Sequence, residues 1–222
     1  MFIFLNDNYI KICYYKYEIL YRSGGIIMAY KIVTISRQYG SGGRAVGKKL
    51  AEALGYSFYD NALVEKVVEK TGMTEEFIKE AGEYSPFASI FSYGLVSRDR
   101  GGSSLEDMVY AEQRKVILDI VEKENCVFVG RCSDAILDVR DDCFNVFITG
   151  DPEDKIERIK GYNACTEKEA KKLMRDTDKK RKLHYDYYTD RKWGVADNYD
   201  LCLNTSTLGI DKCVELIMQA IK

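Results

Sequence analysis

The 222-residue sequence predicts an α/β domain built on a five-stranded, mostly parallel sheet with helices on both faces. Three observations carry that expectation. Short β-branched or aromatic runs alternate with longer amphipathic ones, the first such pair is joined by a glycine-rich turn, and neither an internal repeat nor a low-complexity linker interrupts the order.

From Tyr30 to Ile35, YKIVTI is β-branched and apolar and reads as a buried first strand. After the turn, RAVGKKLAEALG places Val46, Leu50 and Leu54 on one helical face and stops at Gly55. YSFYD is a short strand ending at Asp60, and NALVEKVVEKTG a helix with Asn61 near its start and Gly72 at its end. TEEFIKEAG is a second short helix. Glu83 to Ser104 has glycines, serines and aromatics without a sustained period, which suits a mobile, substrate-facing segment or an ordinary surface loop. Leu105 to Glu124 reads as a long amphipathic helix, NCVFVGR and CFNVFITG as buried strands, and DPEDKIERIKGY as a helix capped by Asp151 and opened by Pro152. The charged run TEKEAKKLMRDTDKKRKLHYDYYTDRK is helical, NYDLCLNTS is the fifth strand, and LGIDKCVELIMQAIK closes the chain as an amphipathic helix.

Composition narrows the function classes. With 46% hydrophobic and 31% charged residues the chain is an ordinary soluble globular protein, long enough to bury a full core. A net charge of −2 argues against general affinity for nucleic acid or an acidic membrane. The seven cysteines form no CxxC pair and read as reduced thiols of a cytoplasmic protein, several of them small hydrophobes inside apolar runs. One histidine, His184, with neighbours so spaced makes no zinc site.

Residues 1–27 lack a cleavage site and an uninterrupted apolar run, which excludes a secretory signal and a membrane span. SGGIIM back-translates into a GGAGG-containing segment just ahead of the codon for Met28, as a bacterial ribosome-binding site would look if translated. The expectation is that residues 1–27 are an upstream leader or a disordered extension and that a single domain spans residues 28–222. The alternative is an extra strand or helix packed on that domain. The intact mass of the native protein separates the two.

The turn itself is TISRQYGSGGRAVGKKLAEALGY. Backbone N–H groups converge on phosphate only where side chains do not obstruct them, so Gly40, Ser41, Gly42 and Gly43 between a strand and a helix suit phosphate, helped by the positive end of the helix dipole. A tight turn with no ligand is the competing reading. The pattern GxxxxGK[ST] is not met: in register with Gly42, its first glycine is Arg37, its lysine Gly43 and its hydroxyl residue Arg44.

With VFVGR and YDLCLNTSTLGIDKCVELI, this stretch resembles the cytidylate-kinase-like group of P-loop nucleoside monophosphate kinases, from Ala29 to Lys222. The resemblance implies a P-loop sheet, a phosphate loop for ATP with Mg²⁺, a segment closing over the acceptor, and an arginine-bearing lid at about residues 152–190. It implies that Gly40, Ser41, Gly42, Gly43 and Arg44 hold donor phosphates. Aligned through LAEALGY, the family's lysine falls on Gly43 and its threonine on Ala45. Asp60 matches the aspartate ending the second strand, and Lys66 lies one residue short of the phosphate-binding arginine. Arg131 matches the arginine of the Gly-Arg-Asp motif, with Cys132 in the aspartate's place. These three would position the acceptor. Arg158, Arg175 and Arg181 fall in the lid and would stabilise the transferring group alongside Arg44 and Arg131, or else belong to a solvated charged helix. The aromatics of DYYTDRKW would stack on a base or pack the helix on the core. Three functions follow: transfer from Mg-ATP to CMP or dCMP, phosphoryl transfer to another small metabolite, or a nucleotide- or phosphate-binding regulatory protein with little turnover.

Overall fold

A computed structural model describes residues 2–6, 9–14, 17–22, 25–26, 30–83 and 105–221. The segment from Glu83 to Ser104, read as substrate-facing or a surface loop, lies outside the described residues apart from Glu83 itself. Strands β1 (Phe2–Asn6), β2 (Tyr9–Tyr14), β3 (Tyr17–Arg22) and β4 (Gly25–Ile26) pair antiparallel in chain order as a sheet of their own.

The second sheet is the predicted one. Its strands are β5 (Ile32–Arg37), β6 (Ser57–Tyr59), β7 (Cys126–Val129), β8 (Cys143–Thr149) and β9 (Leu201–Asn204), all parallel in the order β6-β7-β5-β8-β9. Ile32 to Ser36 are buried because β5 is central, with Ile32 opposite both Cys126 and Cys143. Alternation along β5 sends Ile32 to one core and Val33 and Ile35 to the other.

Against the first core lie α2 (Asn61–Thr71), α3 (Glu75–Glu83) and α4 (Leu105–Val121), through Leu63, Val67, Ile78 and Ile117. Against the second lie α1 (Gly43–Leu54) and α9 (Ile210–Ala220), through Val46, Leu50 and Ile217. Gly55 and Gly72 end α1 and α2 at φ 67° and 68°, the left-handed stop that glycine permits. Burial, with Glu124 nearby, pushes the Cys126 thiol up to about 12, in keeping with a packed rather than reactive cysteine.

The structure corrects several local details. Helix α4 stops at Val121, short of Glu124, and a short helix α5 (Ser133–Ile136) follows β7 in a stretch to which the sequence assigned no element. Helix α6 (Pro152–Asn163) opens on Pro152 as expected, but Asp151 makes no capping bond, because its carboxylate accepts from Asn204 Nδ2 at 2.8 Å. Helix α7 (Glu167–Tyr188) starts from a Thr166–Glu169 capping box, a Thr-x-x-Glu signal legible in TEKE. The short α8 (Thr205–Leu208) links β9 to α9. No described helix is long and apolar enough to cross a membrane.

Candidate functional site

The site lies where the parallel strands end. Beyond β5 the loop is tied by hydrogen bonds from three sides. Gln38 N–H donates to Ile148 O at 3.0 Å and Tyr39 N–H to Asp178 Oδ1 at 2.7 Å. From beneath, the buried Lys155 donates through Nζ to Gln38 Oε1 at 2.8 Å, where Thr149 Oγ1 also donates at 2.7 Å. From α6, Arg158 Nη1 donates to Gly40 O (3.3 Å) and Thr205 Oγ1 (2.9 Å), and Thr205 Oγ1 donates to Ser41 O (2.6 Å).

Gly40 and Gly42 sit at φ 79° and 80°, which a side chain would resist. A Cβ on Gly40 would also lie 2.7 Å from Lys155 O. The first helical bond is Val46 N–H to Gly42 O at 3.0 Å, and among the described residues the N–H groups of Gly42, Gly43 and Arg44 find no acceptor. Such a helix start, with no acidic residue in its first turn, favours an anion.

Those amides face a cleft of about 550 Å³. Its cations are Arg37, Arg44, Lys48 and Arg181, its aromatics Tyr39, Phe58 and Tyr162, and no carboxylate lines it among the described residues. Volume and lining suit a nucleotide-sized, phosphate-bearing ligand.

Arg44 Nε lies 2.6 Å from Asp60 Oδ2, with the arginine side chain 66% exposed and the carboxylate 8%. The residue expected to hold donor phosphates is thus held by the one expected to position the acceptor.

A smaller space of about 20 Å³, with room for little more than a water, adjoins the cleft. Arg37 and Arg181 line both, and Arg131, His184 and Trp193 help close the smaller one. Arg131 occupies a left-handed run, φ 73°, 64° and 53° at Gly130, Arg131 and Cys132, that swings it back over the end of β7. Its Nη1 approaches Lys79 O at 3.5 Å, and Gln113 Nε2 donates to its carbonyl at 3.2 Å.

Behind this space Asp134 is wholly buried, accepting from Tyr185 Oη at 2.7 Å and weakly from Ser36 Oγ at 3.4 Å. Burial pushes its carboxyl above the ordinary value, against the pull of the Tyr185 hydroxyl. Burial likewise raises Asp178, opposed by the Tyr39 N–H and by Arg181, Lys155 and Arg37.

The predicted site residues fare unequally. Gly40, Gly42, Gly43, Arg44 and Arg181 meet at the cleft, and Arg131 lines the adjoining space. Ser41 lies in the loop but its hydroxyl turns inward to Gln38 O at 2.8 Å. Arg158 braces the loop from behind. Arg175 is exposed and lines neither space. Lys66 goes elsewhere: its Nζ lies 6.0 Å from the centre of the Tyr59 ring, whose hydroxyl bonds Glu124 just ahead of β7, because this turn of α2 descends toward the amino edge of the sheet. Trp193 packs on Phe147 and Tyr188 stacks on Tyr110, so these two aromatics of DYYTDRKW serve packing. Sequence reasoning missed Arg37, whose signal was a cation standing in a glycine's place.

The polyphosphate of ATP fits this lining. A Mg²⁺ accompanying it would keep several waters and be held chiefly by the phosphates, since Ala45 has no hydroxyl to offer.

The model of the cytidylate kinase-like family matches residues 32–207. A crystal structure of an uncharacterized protein from Eubacterium ventriosum is 27% identical, with a TM-score of 0.66 over 86% of this chain and 97% of that one. Shikimate kinase from Bacteroides thetaiotaomicron (15% identical, TM-score 0.50, 85% and 97% covered) and that from Acinetobacter baumannii in complex with shikimate (16%, 0.50, 87% and 94%) share the fold. No curated protein sequence matches the chain.

Proposed function

The chain belongs to the cytidylate kinase-like family, and on that premise we propose that it moves the terminal phosphoryl group of ATP to a small acceptor, a nucleoside monophosphate of the cytidine series. The observation that carries this reading is the cleft at the start of α1, where open backbone amides and four cationic side chains converge with no carboxylate among the described lining residues. Phosphoryl transfer asks chiefly for positioning and for neutralisation of charge spread over the equatorial oxygens, so no covalent intermediate is needed. The amides of Gly42, Gly43 and Arg44 hold the donor phosphates. Arg131, at the edge of the small adjoining space, orients the acceptor's phosphate from the cleft side, and Arg181, which lines both spaces, faces both groups. The bracing of the loop by Lys155, Arg158 and Thr205 keeps the amides aimed before the ligand arrives.

A second reading, a nucleotide-binding regulatory protein with little turnover, is favoured by Gly43 and Ala45 in place of the lysine and hydroxyl and by the Asp60 contact already made by Arg44. A coupled ADP-release assay over all nucleoside monophosphates and other small hydroxyl or phosphate acceptors decides between them. CMP-dependent release that falls about tenfold or more in Arg131→Ala, whose guanidinium is assigned to the acceptor's phosphate, supports transfer. ATP binding, seen as a raised melting temperature, without acceptor-dependent ADP supports the regulatory protein instead.

A further inference from the structure

Two of the departures from the phosphate-loop pattern stand six positions apart, and the structure joins them. Arg37, the last residue of β5, occupies the pattern's first glycine, and Gly43, the first residue of α1, occupies its lysine. A Cβ on Gly43 would lie 2.5 Å from Arg37 Cβ and 3.0 Å from its Cγ, closer than real β-carbons approach. The stem of Arg37 therefore fills the place a side chain at position 43 would need. Further along, a Cβ on Gly130 would collide with Arg37 Nη1 and sit 3.0 Å from Cζ. Gly43 and Gly130 together make a corridor that carries the guanidinium from the end of β5 across the end of β7. It is there that the cleft and the smaller Arg131 space meet, sharing only Arg37 and Arg181 among the described residues. Arg181 Nη1 in turn donates to Arg37 O at 3.3 Å and steadies that strand end.

We propose that the glycine and the cation of the phosphate loop have exchanged places in this chain: Arg37, threaded past Gly43 and Gly130, supplies from the strand the charge that the missing lysine would supply from the helix. A lysine at position 43 and an arginine at position 37 exclude one another sterically, so the two departures are coupled. The exchange replaces a compact ammonium by a planar fork able to contact two oxygens at once, where the cleft meets the small Arg131 space. It rests on the reading of the cleft as a polyphosphate site.

A double-mutant cycle over Arg37→Gly and Gly43→Lys tests it, read by calorimetric binding of inorganic tripolyphosphate, which has no base to confuse the signal. Arg37→Gly is expected to weaken binding about tenfold or more. Gly43→Lys alone is expected to weaken it too and to lower the melting temperature, and the double variant to recover binding to within about threefold of the parent. Gly43→Ala, which adds only the clashing Cβ, lowers the melting temperature, and Arg37→Gly in the same chain restores it. Unchanged binding in Arg37→Gly, a double variant no better than Gly43→Lys, or no tripolyphosphate binding by the parent overturns the exchange. Arg37-dependent binding with no ADP release for any acceptor leaves the exchange standing and removes the kinase reading. Turnover indifferent to Arg37→Gly does the reverse.

Discussion

At the amino end of the parallel sheet Arg140 lies between Asp142 and Glu122, and Tyr59 and Ser57 both donate to Glu124. At the carboxyl end Arg37, Arg131 and Arg181 gather around two spaces whose described linings contain no carboxylate. At the carboxyl end Arg44 and Arg181 also have carboxylates beside them, Asp60 at 2.6 Å and Asp178 at 3.7 Å, but these stand outside the linings of the two spaces. Charges neutralised by neighbours at the rim contribute little beyond modest stability. Gathered guanidiniums repel one another and focus a positive field, a cost that an arriving anion offsets. The contrast therefore sets a rim of paired charges against an end whose described linings present cations alone, the end at which we propose that phosphate binds.

The largest expected effect breaks that contrast at the carboxyl end. Arg181→Ala is expected to lower ADP release about 100-fold, since it removes a guanidinium shared by both spaces. Arg140→Ala is expected to leave turnover within about twofold and to cost at most about 1 kcal/mol in urea unfolding. Similar losses of turnover in both would erase the distinction.

A smaller effect sharpens it. Tripolyphosphate at about 100 times its dissociation constant adds about 2.7 kcal/mol to the parent's stability. In Arg131→Ala the gain at the same concentration should be visibly less, and in Arg140→Ala unchanged, as read by thermal melting.

The smallest effect is one of sign. Asp134 has a folded pKa raised above 3.8, so the folded state binds the proton more tightly. Its contribution is therefore greatest at low pH and falls as pH rises from 3.8 through the raised value. Glu124 is lowered from 4.5 by its bonds from Ser57 and Tyr59, so its contribution is present above 4.5 and lost as pH falls through the lowered value. Asp134→Asn should remove a downward slope of stability with pH, and Glu124→Gln an upward one of a few tenths of a kcal/mol, damped by solvent. Urea midpoints across the acid range carry the comparison, and slopes of equal sign would refute it.

Much of the scaffold was legible because its signals are local. YKIVTI followed by glycines and then by Val46, Leu50 and Leu54 at helical spacing needs no partner to be read. Gly55 and Gly72 announce helix ends on their own. The site was less legible because its meaning depends on pairs far apart in the chain. Arg44 reads as a phosphate ligand until Asp60 is seen beside it, and Arg37 reads as a strand-end charge until Gly130 is seen to clear its path. Lys66 missed the arginine's spacing by one residue, and one residue on a helix is 100° of rotation, enough to turn its side chain away from the site toward Tyr59. Asp134, Ser36 and Tyr185 gave no signal, since a carboxylate buried against hydroxyls looks like any surface aspartate in a sequence.

The hydroxyl of Thr205 closes on the carbonyl of Ser41 across 164 positions of chain. During synthesis the ribosome therefore releases the loop early, while one of its anchors is still unmade and the strands flanking β5, which begin at Cys126 and Cys143, have yet to emerge. A chain cut short of Thr205 would leave the Ser41 carbonyl without this brace, a loss of roughly 0.5–1.5 kcal/mol to the order of the loop.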